Sequence, residues 1–228
     1  MKEFVEKRLV KQRIARRIAS EFNRVTDVTI INLGVGTPTM VSNYIKNKNV
    51  HIQAENGMLG VGPLAEQEDA DSYLINAGRQ MVTQIPGCSY FDSAASFGMI
   101  RGGHVDATVI GAFEVDEQAN LANWIIPNGR QLGVGGAMDL VTGARRVIVS
   151  MPHFLKNGRS KIVKQCRYPI TGCNEADLIV TELGVFTFPD NKLTLEEIAP
   201  EITLEELVAL TEANFEISQN LKTMDIYA

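Results

Sequence analysis

A single glutamate stands on a glycine turn directly after a short apolar segment, in the run QAENGMLG at residues 53–60. A carboxylate presented in this way can act as a nucleophile toward an activated acyl group. Asn-Gly is also a common tight-turn pair, and a glutamate beside it is usually solvated. The setting favours chemistry at Glu55, because Gly57, Gly60 and Gly62 leave room for a bulky ligand to approach the backbone.

A second glycine cluster, GVGG at residues 133–136, contains Gly133, Gly135 and Gly136. Three glycines in four residues cost backbone entropy, so packing alone rarely explains them. They permit exposed N–H groups, which can form an oxyanion hole for a tetrahedral intermediate. A nucleophilic carboxylate and an oxyanion hole together predict acyl transfer.

A third glycine pair, Gly34 and Gly36, follows the β-branched segment 28–33 and precedes Pro38. The third glycine of the dinucleotide-binding fingerprint is absent. Two interpretations remain open. The pair either forms a tight strand-to-helix turn or seats a phosphate or pantetheine group at a helix N-terminus, where free N–H groups point outward.

The elements that must position these residues alternate between strands and helices. Ser93 is the expected N-cap of a helix that ends at Arg101, a short helix is expected over residues 137–142, and Thr203 opens a capping box. Apolar runs predict strands over residues 28–33, 50–54, 73–75, 81–85, 105–113, 121–126, 147–151, 178–181 and 185–188. Pro86 is expected to stop the fourth of them.

This alternation predicts an α/β fold with a mainly parallel sheet and helices on both faces. No repeat or linker divides the chain, so residues 1–228 are expected to form one domain. In such folds, ligands bind at the carboxyl ends of strands. The loops at Gly34 and Glu55 both follow strands and are therefore expected to line one crevice.

The N-terminal segment, residues 3–24, has the period of an amphipathic helix. Its apolar positions are Val5, Leu9, Val10, Ile14, Ile18 and Phe22, and its other face carries Lys7, Arg8, Lys11, Arg13, Arg16 and Arg17. A solvated basic face is the favoured interpretation. Attraction of a phosphorylated ligand or an acidic partner chain is the alternative, and the periodicity does not say which surface the helix packs against.

The composition excludes several classes of function. The chain has 228 residues, 45% of them hydrophobic, and a net charge of −5, which argues against a nucleic-acid surface. No stretch of about 18 apolar residues predicts a membrane span. Three cysteines without a Cys-x-x-Cys pair favour a reducing cytoplasm. The three histidines lack metal-ligand spacing, so no metal site is expected.

Ordered motifs over nearly the whole chain carry a resemblance. They are NLGVG at 32–36, ENG at 55–57, NAG at 76–78, FGMIRGGHVD at 97–106, LANWIIP at 121–127 and GGAMDLV at 135–141. With these motifs the chain resembles the β subunit of family I coenzyme A transferases of the 3-oxoacid or acetoacetate type.

The resemblance implies that Glu55 is the nucleophile that forms a glutamyl-CoA thioester, and that the backbone N–H of Gly136 lies near the thioester oxygen. Asn56 is a further expected contact for coenzyme A or substrate, together with Gly34, Gly36, Gly133 and Gly135. An α subunit is implied as partner, in an α2β2 assembly. The implied substrates are an acyl-CoA and a short-chain carboxylic or 3-oxo acid, and no cofactor is expected.

The sequence departs from the family pattern at several positions near this expected site. Ala54 replaces the serine of the Ser-Glu-Asn-Gly motif, and Val134 replaces a methionine. Asn128, Gly129 and Arg130 stand where the family usually has Gly-Lys-Met. These departures leave the acid substrate open. Two other functions are alternatives: an acyl-CoA hydrolase, and a non-catalytic module that senses coenzyme A.

Overall fold

A computed structural model describes residues 4–66, 68, 70–126, 129 and 133–226. The described residues form one ten-stranded sheet in the order β13-β12-β11-β10-β8-β5-β1-β2-β3-β4 and a three-stranded sheet in the order β7-β6-β9. The strands are β1 Thr29–Leu33, β2 Val50–Ala54, β3 Met58–Leu64, β4 Val82–Tyr90, β5 Ala107–Ile110, β6 Glu114–Asp116, β7 Leu121–Ala122, β8 Val147–Ser150, β9 Ile162–Val163, β10 Leu178–Val180, β11 Gly184–Thr187, β12 Thr194–Ile198 and β13 Glu216–Thr223.

The centre of the large sheet is parallel, as the sequence predicts. Strands β2, β1, β5, β8 and β10 pair in parallel, while β3 and β4 at one side and β11 at the other pair antiparallel. Strands β5, β8 and β10 are buried along their whole length, because both faces of this region are covered. Their carboxyl ends therefore meet along one edge.

Helices cover both faces of the sheet. The helices are α1 Lys7–Asn23, α2 Ser93–Arg101, α3 Ala137–Gly143 and α4 Leu204–Leu210, with short 3₁₀ helices at Pro38–Tyr44 and Pro189–Asn191. On β8, Ile148 packs in the cluster that contains α1, whereas Val147 and Val149 pack in the cluster that contains α4. The alternation of side chains along a strand places these two cores on opposite faces.

The N-terminal helix begins at Lys7 rather than near residue 3. Its apolar positions Ile14, Ile18 and Phe22 are buried, whereas Leu9 is exposed. Its basic face is not uniformly solvated, and this corrects the favoured interpretation. Arg13 and Arg17 are buried and form ion pairs with Glu201 and Glu197, at 2.6 and 2.7 Å. These partners lie far along the chain, 188 and 180 residues away, so local sequence cannot reveal them.

The turn after Glu55 is followed by a strand that the sequence analysis missed. Gly60 and Gly62 lie in β3, and added Cβ atoms would meet Cys88 and Thr83 of β4 at 3.0 and 2.5 Å. A Cβ at Gly57 would come within 2.0 Å of the carbonyl oxygen of Phe91. Close backbone packing therefore accounts for these glycines, and whether they also leave room for a ligand stays a prediction.

Four local expectations also need correction. Strand β4 continues through Pro86 to Tyr90, because edge strands tolerate proline. The N-cap of α2 is Asp92 rather than Ser93, and its carboxylate accepts from the Ala95 N–H at 2.8 Å. The expected strand at 121–126 is limited to β7, and residues 73–75 contribute only a single bridge, from Ile75 to Met81. The capping box at Thr203 is confirmed.

Candidate active site

Glu55 follows β2 at the edge where the parallel strands end. Its side chain is partly buried, and Oε2 accepts a hydrogen bond from Nδ2 of Asn32 at 3.1 Å. Asn32 belongs to β1 and is paired in register with Gln53 of β2. The sheet itself thus fixes the donor that holds the carboxylate.

A buried chain of hydrogen bonds supports this contact. Nδ2 of Asn32 also donates to Oε1 of Gln53 at 2.8 Å, and Nε2 of Gln53 donates to the hydroxyl of Ser96 on α2 at 2.8 Å. Asn32 and Ser96 are fully buried, and Gln53 nearly so. Since buried polar networks lock side chains in one geometry, this chain orients Glu55.

The glycine cluster approaches Glu55 from the other side. A methyl group at Gly136 would lie 3.6 Å from Cγ of Glu55 and 2.9 Å from Cζ of Phe97. Gly136 therefore lies in contact range of the glutamate, and a larger residue there would press against the ring of Phe97. The structure brings together two features that lie about 80 residues apart in the sequence.

The backbone of the cluster adopts conformations that favour glycine. Gly133 and Gly135 have φ of 79° and 52°, while Gly136 at φ −87° is the N-cap of α3. Among the described residues, the N–H groups of Gly135 and Gly136 have no acceptor. Within the described part of the chain, both N–H groups are therefore open to a ligand oxygen.

Glu55 and the glycine cluster open into one cavity of about 710 Å³. Its walls come from the ends of four parallel strands, at Gly34, Glu55, Gly111 and Met151. This is the position at which open α/β sheets bind ligands. Gly133, Val134, Gly135 and Gly136 also line it.

The remaining sequence-predicted residues lie elsewhere. Gly36, at φ 94°, shares a loop with Gly34 but is not a lining residue of this cavity. Asn56 is exposed, lines a separate cavity with Tyr73 and Tyr90, and donates to the carbonyl of Ile75 at 2.8 Å.

The family departures fall into three groups. Ala54 is buried beside the nucleophile candidate, and Val134 lines the cavity. Gly129 is described but does not line it, with its N–H bonded to the carbonyl of Ile126. Asn128 and Arg130 lie outside the described residues.

Two cations that the sequence analysis did not identify, Arg79 and Lys161, line this cavity. Arg79 is exposed, whereas Lys161 is buried and donates to the carbonyl of Ala112. Burial lowers the pKa of Lys161 to about 8. Neither residue belongs to a sequence motif that would indicate a catalytic or binding role. Tertiary packing alone brings both of them to this cavity. Asn32 had a sequence signal, since it opens the motif NLGVG.

The histidines play no part in this cavity. His153 is fully buried between the hydroxyls of Thr181 and Thr211, at 3.2 and 3.0 Å, and burial lowers its pKa to about 3. It is therefore a neutral structural residue. Within the described ranges, no cluster of three or more His, Cys, Asp or Glu side chains could hold a metal ion. None of the described helices is long and apolar enough to span a membrane.

Comparison with known proteins gives concordant results. A family model described as coenzyme A transferase matches residues 11–210. The β subunit of acetate CoA-transferase from Escherichia coli K12 is 50% identical over 215 residues, which are 93% of this chain and 96% of that protein.

A second relative is one of the subunits of a probable succinyl-CoA:3-ketoacid coenzyme A transferase from Bacillus subtilis 168. It is 45% identical, over 92% of this chain and 97% of that protein. The crystal structure of an acyl-CoA transferase from E. coli O157:H7 has a TM-score of 0.73 and 21% identity, and it covers 97% of this chain and 44% of that longer one. At this identity the structural match supports the fold alone.

Proposed function

The chain belongs to the coenzyme A transferase family, and we propose that it is the β subunit of an enzyme that moves coenzyme A between an acyl-CoA and a short-chain carboxylic or 3-oxo acid. One observation carries the assignment of the site. A Cβ built on Gly136 would lie 3.6 Å from Cγ of Glu55, in a single cavity at the strand ends, and this proximity supports the roles of oxyanion donor for Gly136 and nucleophile for Glu55.

The reaction proceeds through covalent intermediates on Glu55. Its carboxylate attacks the thioester carbonyl and expels the coenzyme A thiolate, which leaves a mixed anhydride. The thiolate then attacks the glutamyl carbonyl, and this step releases the first acid and forms a glutamyl-CoA thioester. A second acid reverses both steps, so that its own acyl-CoA leaves and the carboxylate of Glu55 is regenerated.

Each part of the site meets a requirement of this chemistry. A carboxylate is a weak nucleophile, so Asn32 must hold it in an attacking orientation. The N–H of Gly136 stabilises the oxyanion, and one such donor is worth about 3 kcal/mol in comparable sites. Apolar lining residues such as Ile110, Phe113 and Leu140 limit water, which would hydrolyse the anhydride or the thioester.

The test is to trap the glutamyl thioester in the complex of this chain with its native partner. The complex is incubated with acetoacetyl-CoA and then quenched with hydroxylamine, which displaces coenzyme A and leaves a hydroxamate. Mass spectrometry should find the hydroxamate on the peptide that contains Glu55, and not in a Glu55→Ala complex. An unmodified Glu55 in a complex that binds coenzyme A would contradict the covalent mechanism and favour a sensing module.

The hydrolase alternative shares the same intermediate, because water rather than an acid would complete the reaction. Product analysis separates the two. A transferase produces one new acyl-CoA for each acyl-CoA consumed, whereas a hydrolase releases free thiol.

We further propose an α subunit as the partner, in an α2β2 assembly, since the similar protein of E. coli K12 is named as a β subunit. The three cysteines are unpaired, which supports a reducing cytoplasm. Coenzyme A enters as a substrate, and the proposed chemistry requires no metal or redox cofactor.

A further inference from the structure

Lys161 is a buried cation in the wall of the cavity that contains Glu55. It is 8% exposed, whereas Arg79 on the same cavity is exposed. The two cations therefore meet a bound ligand at different depths, with Arg79 at the rim.

The backbone around Lys161 is held from both sides. Its N–H donates to the carbonyl of His153 at 2.9 Å, and its carbonyl accepts from the N–H of Val115 at 2.9 Å. The residue immediately precedes β9, which pairs with β6. The ammonium group is thus fixed just beyond the carboxyl end of β5, where it donates to the carbonyl of Ala112.

The positive charge of Lys161 is not neutralised by a direct ion pair within the described part of the chain. One oxygen of each nearby carboxylate, Glu114 and Glu182, accepts from a backbone N–H group, of Arg167 and His153 respectively, at 2.8 Å. The charges of both carboxylates favour the protonated form of Lys161, against the effect of burial. Two of its three N–H donors remain for a ligand.

Ser150 supplies a second polar group on the same cavity wall. It ends β8, is 3% exposed, and its hydroxyl has no hydrogen-bond partner among the described residues. A buried hydroxyl without a partner and a buried ammonium with N–H donors to spare, beside one cavity, indicate a site built for an oxygen acceptor.

We infer that Lys161 and Ser150 are specificity-determining residues that bind a second oxygen of the acid substrate, the ketone or carboxylate oxygen that lies beyond the reacting carboxylate. The inference rests on the proposed function. It selects short-chain acids that carry such an oxygen over simple fatty acids, because a plain alkyl chain offers no acceptor to the Ser150 hydroxyl or to the remaining N–H donors of Lys161.

The experiment measures exchange from acetyl-CoA in the complex with the native partner, with butyrate, acetoacetate and succinate as acceptors. Lys161→Met should raise the KM for the acids with a second oxygen about 10- to 100-fold, and Ser150→Ala about 5-fold, while butyrate changes by less than about 2-fold. Comparison of acetoacetate with succinate shows whether Lys161 and Ser150 bind a ketone oxygen or a second carboxylate. Lys164→Met, at an exposed lysine on the same segment, is the matched control.

A pH profile distinguishes binding from a merely structural role. The charges of Glu114 and Glu182 raise the pKa of Lys161, against the effect of burial. Two further charged groups, Glu55 and Arg79, line the same cavity. The pKa of Lys161 is about 8, so kcat/KM for the preferred acid should fall as the pH rises through 8. Lys161→Arg should keep the affinity and remove this fall.

Three outcomes would overturn the inference. If Lys161→Met raised the KM equally for all three acids, Lys161 would have a general role rather than a role in specificity. If the KM values did not change, Lys161 would have no role in binding the acid. A wild-type complex that accepts butyrate but neither of the other acids would also contradict it. Each of these leaves the proposed function standing, whereas a wild-type complex that makes no new acyl-CoA from any acid contradicts both.

Discussion

At the scale of single residues, the site depends on where one carboxylate points. Glu55 is held by Asn32 from the neighbouring strand and faces Gly136 from a loop about 80 residues later. In the proposed reaction, this side chain attacks a carbonyl carbon presented between these two elements. Small displacements are costly under such conditions, since a misplacement of about 1 Å can reduce a rate about 100-fold.

Glu55→Ala should abolish exchange, because no other lining residue among those described supplies a carboxylate. Glu55→Asp should leave about 1% of the activity or less, since the shorter chain withdraws the attacking oxygen by about 1 Å. Steady-state exchange assays of the assembled complex give the measurement. Near-normal activity of the alanine variant would remove Glu55 as the nucleophile.

Gly136→Ala should lower kcat about 100-fold while it changes the melting temperature little. The new methyl group would meet Phe97 at 2.9 Å and lie 3.6 Å from Glu55, so it shifts the oxyanion donor and crowds the attack path. The matched control is Gly98→Ala on α2, where an added Cβ meets nothing within 4 Å. A fully active Gly136→Ala complex would mean that this N–H does not stabilise the oxyanion.

At the scale of elements, α1 is attached to the sheet by buried charge as well as by its apolar face. Arg17 donates through Nε and Nη2 to both carboxylate oxygens of Glu197 on β12, at 2.7 and 2.8 Å, and also pairs with Glu21. Bidentate pairs of this kind add geometric specificity to their energy. The orientation of the helix on the sheet is thereby fixed.

Arg17→Met should lower the free energy of unfolding by about 3 kcal/mol, because it leaves the partly buried carboxylate of Glu197 without its cation and removes one of the two cations of Glu21. Arg8→Met is the control. Arg8 pairs with Glu6 while it is 79% exposed, and such pairs contribute little. Urea denaturation measures both variants, and similar values for the two would show that the buried pair contributes little to stability.

Protonation of Glu21 should lower the free energy of unfolding at acid pH. Burial alone raises the pKa of Glu21, but the charges of Arg17 and Arg146 outweigh burial and hold the pKa below its ordinary value of 4.5. Its contribution is therefore complete above about pH 4.5 and is lost as the pH falls through the lowered folded pKa.

Glu21→Gln should accordingly lower the melting temperature at about pH 7, and the difference from wild type should shrink as the pH falls below about 4.5. Glu6→Gln, at an exposed pair, should show no comparable trend. A difference that stays constant with pH would contradict the assignment of the stabilisation to the charge of Glu21.

At the scale of the whole molecule, the large sheet joins two cores. The cluster around Ile18 and Ile148 lies on one face, and the cluster around Val149 and Leu207 lies on the other. Because β8 contributes to both, neither core can be lost without disturbing the strand that the other requires.

The chain should therefore unfold in one cooperative transition, as expected for a single domain. Ile18→Ala and Leu207→Ala, one on each face, should each lower its stability by about 2–5 kcal/mol and shift the same transition. The fluorescence of Trp124, the one tryptophan, and far-UV circular dichroism should give coincident curves. Two separated transitions would divide the chain into independent units.

The sequence alone determined the local features of this protein: the parallel apolar strands, the capping box at Thr203, and Glu55 on its turn after β2. Strand periodicity, capping and turn chemistry are local properties, so a short window of residues contains them. The family motifs likewise identified the nucleophile candidate and the glycine cluster.

Only the tertiary structure decided which residues meet. The contact of Glu55 with Asn32, the placement of Gly60 against β4, and the burial of Lys161 beside the cavity all arise between distant segments. A charged side chain is ordinarily solvated, and a glycine ordinarily marks a turn. Their exceptional environments come from packing across the sheet, which composition and periodicity do not encode.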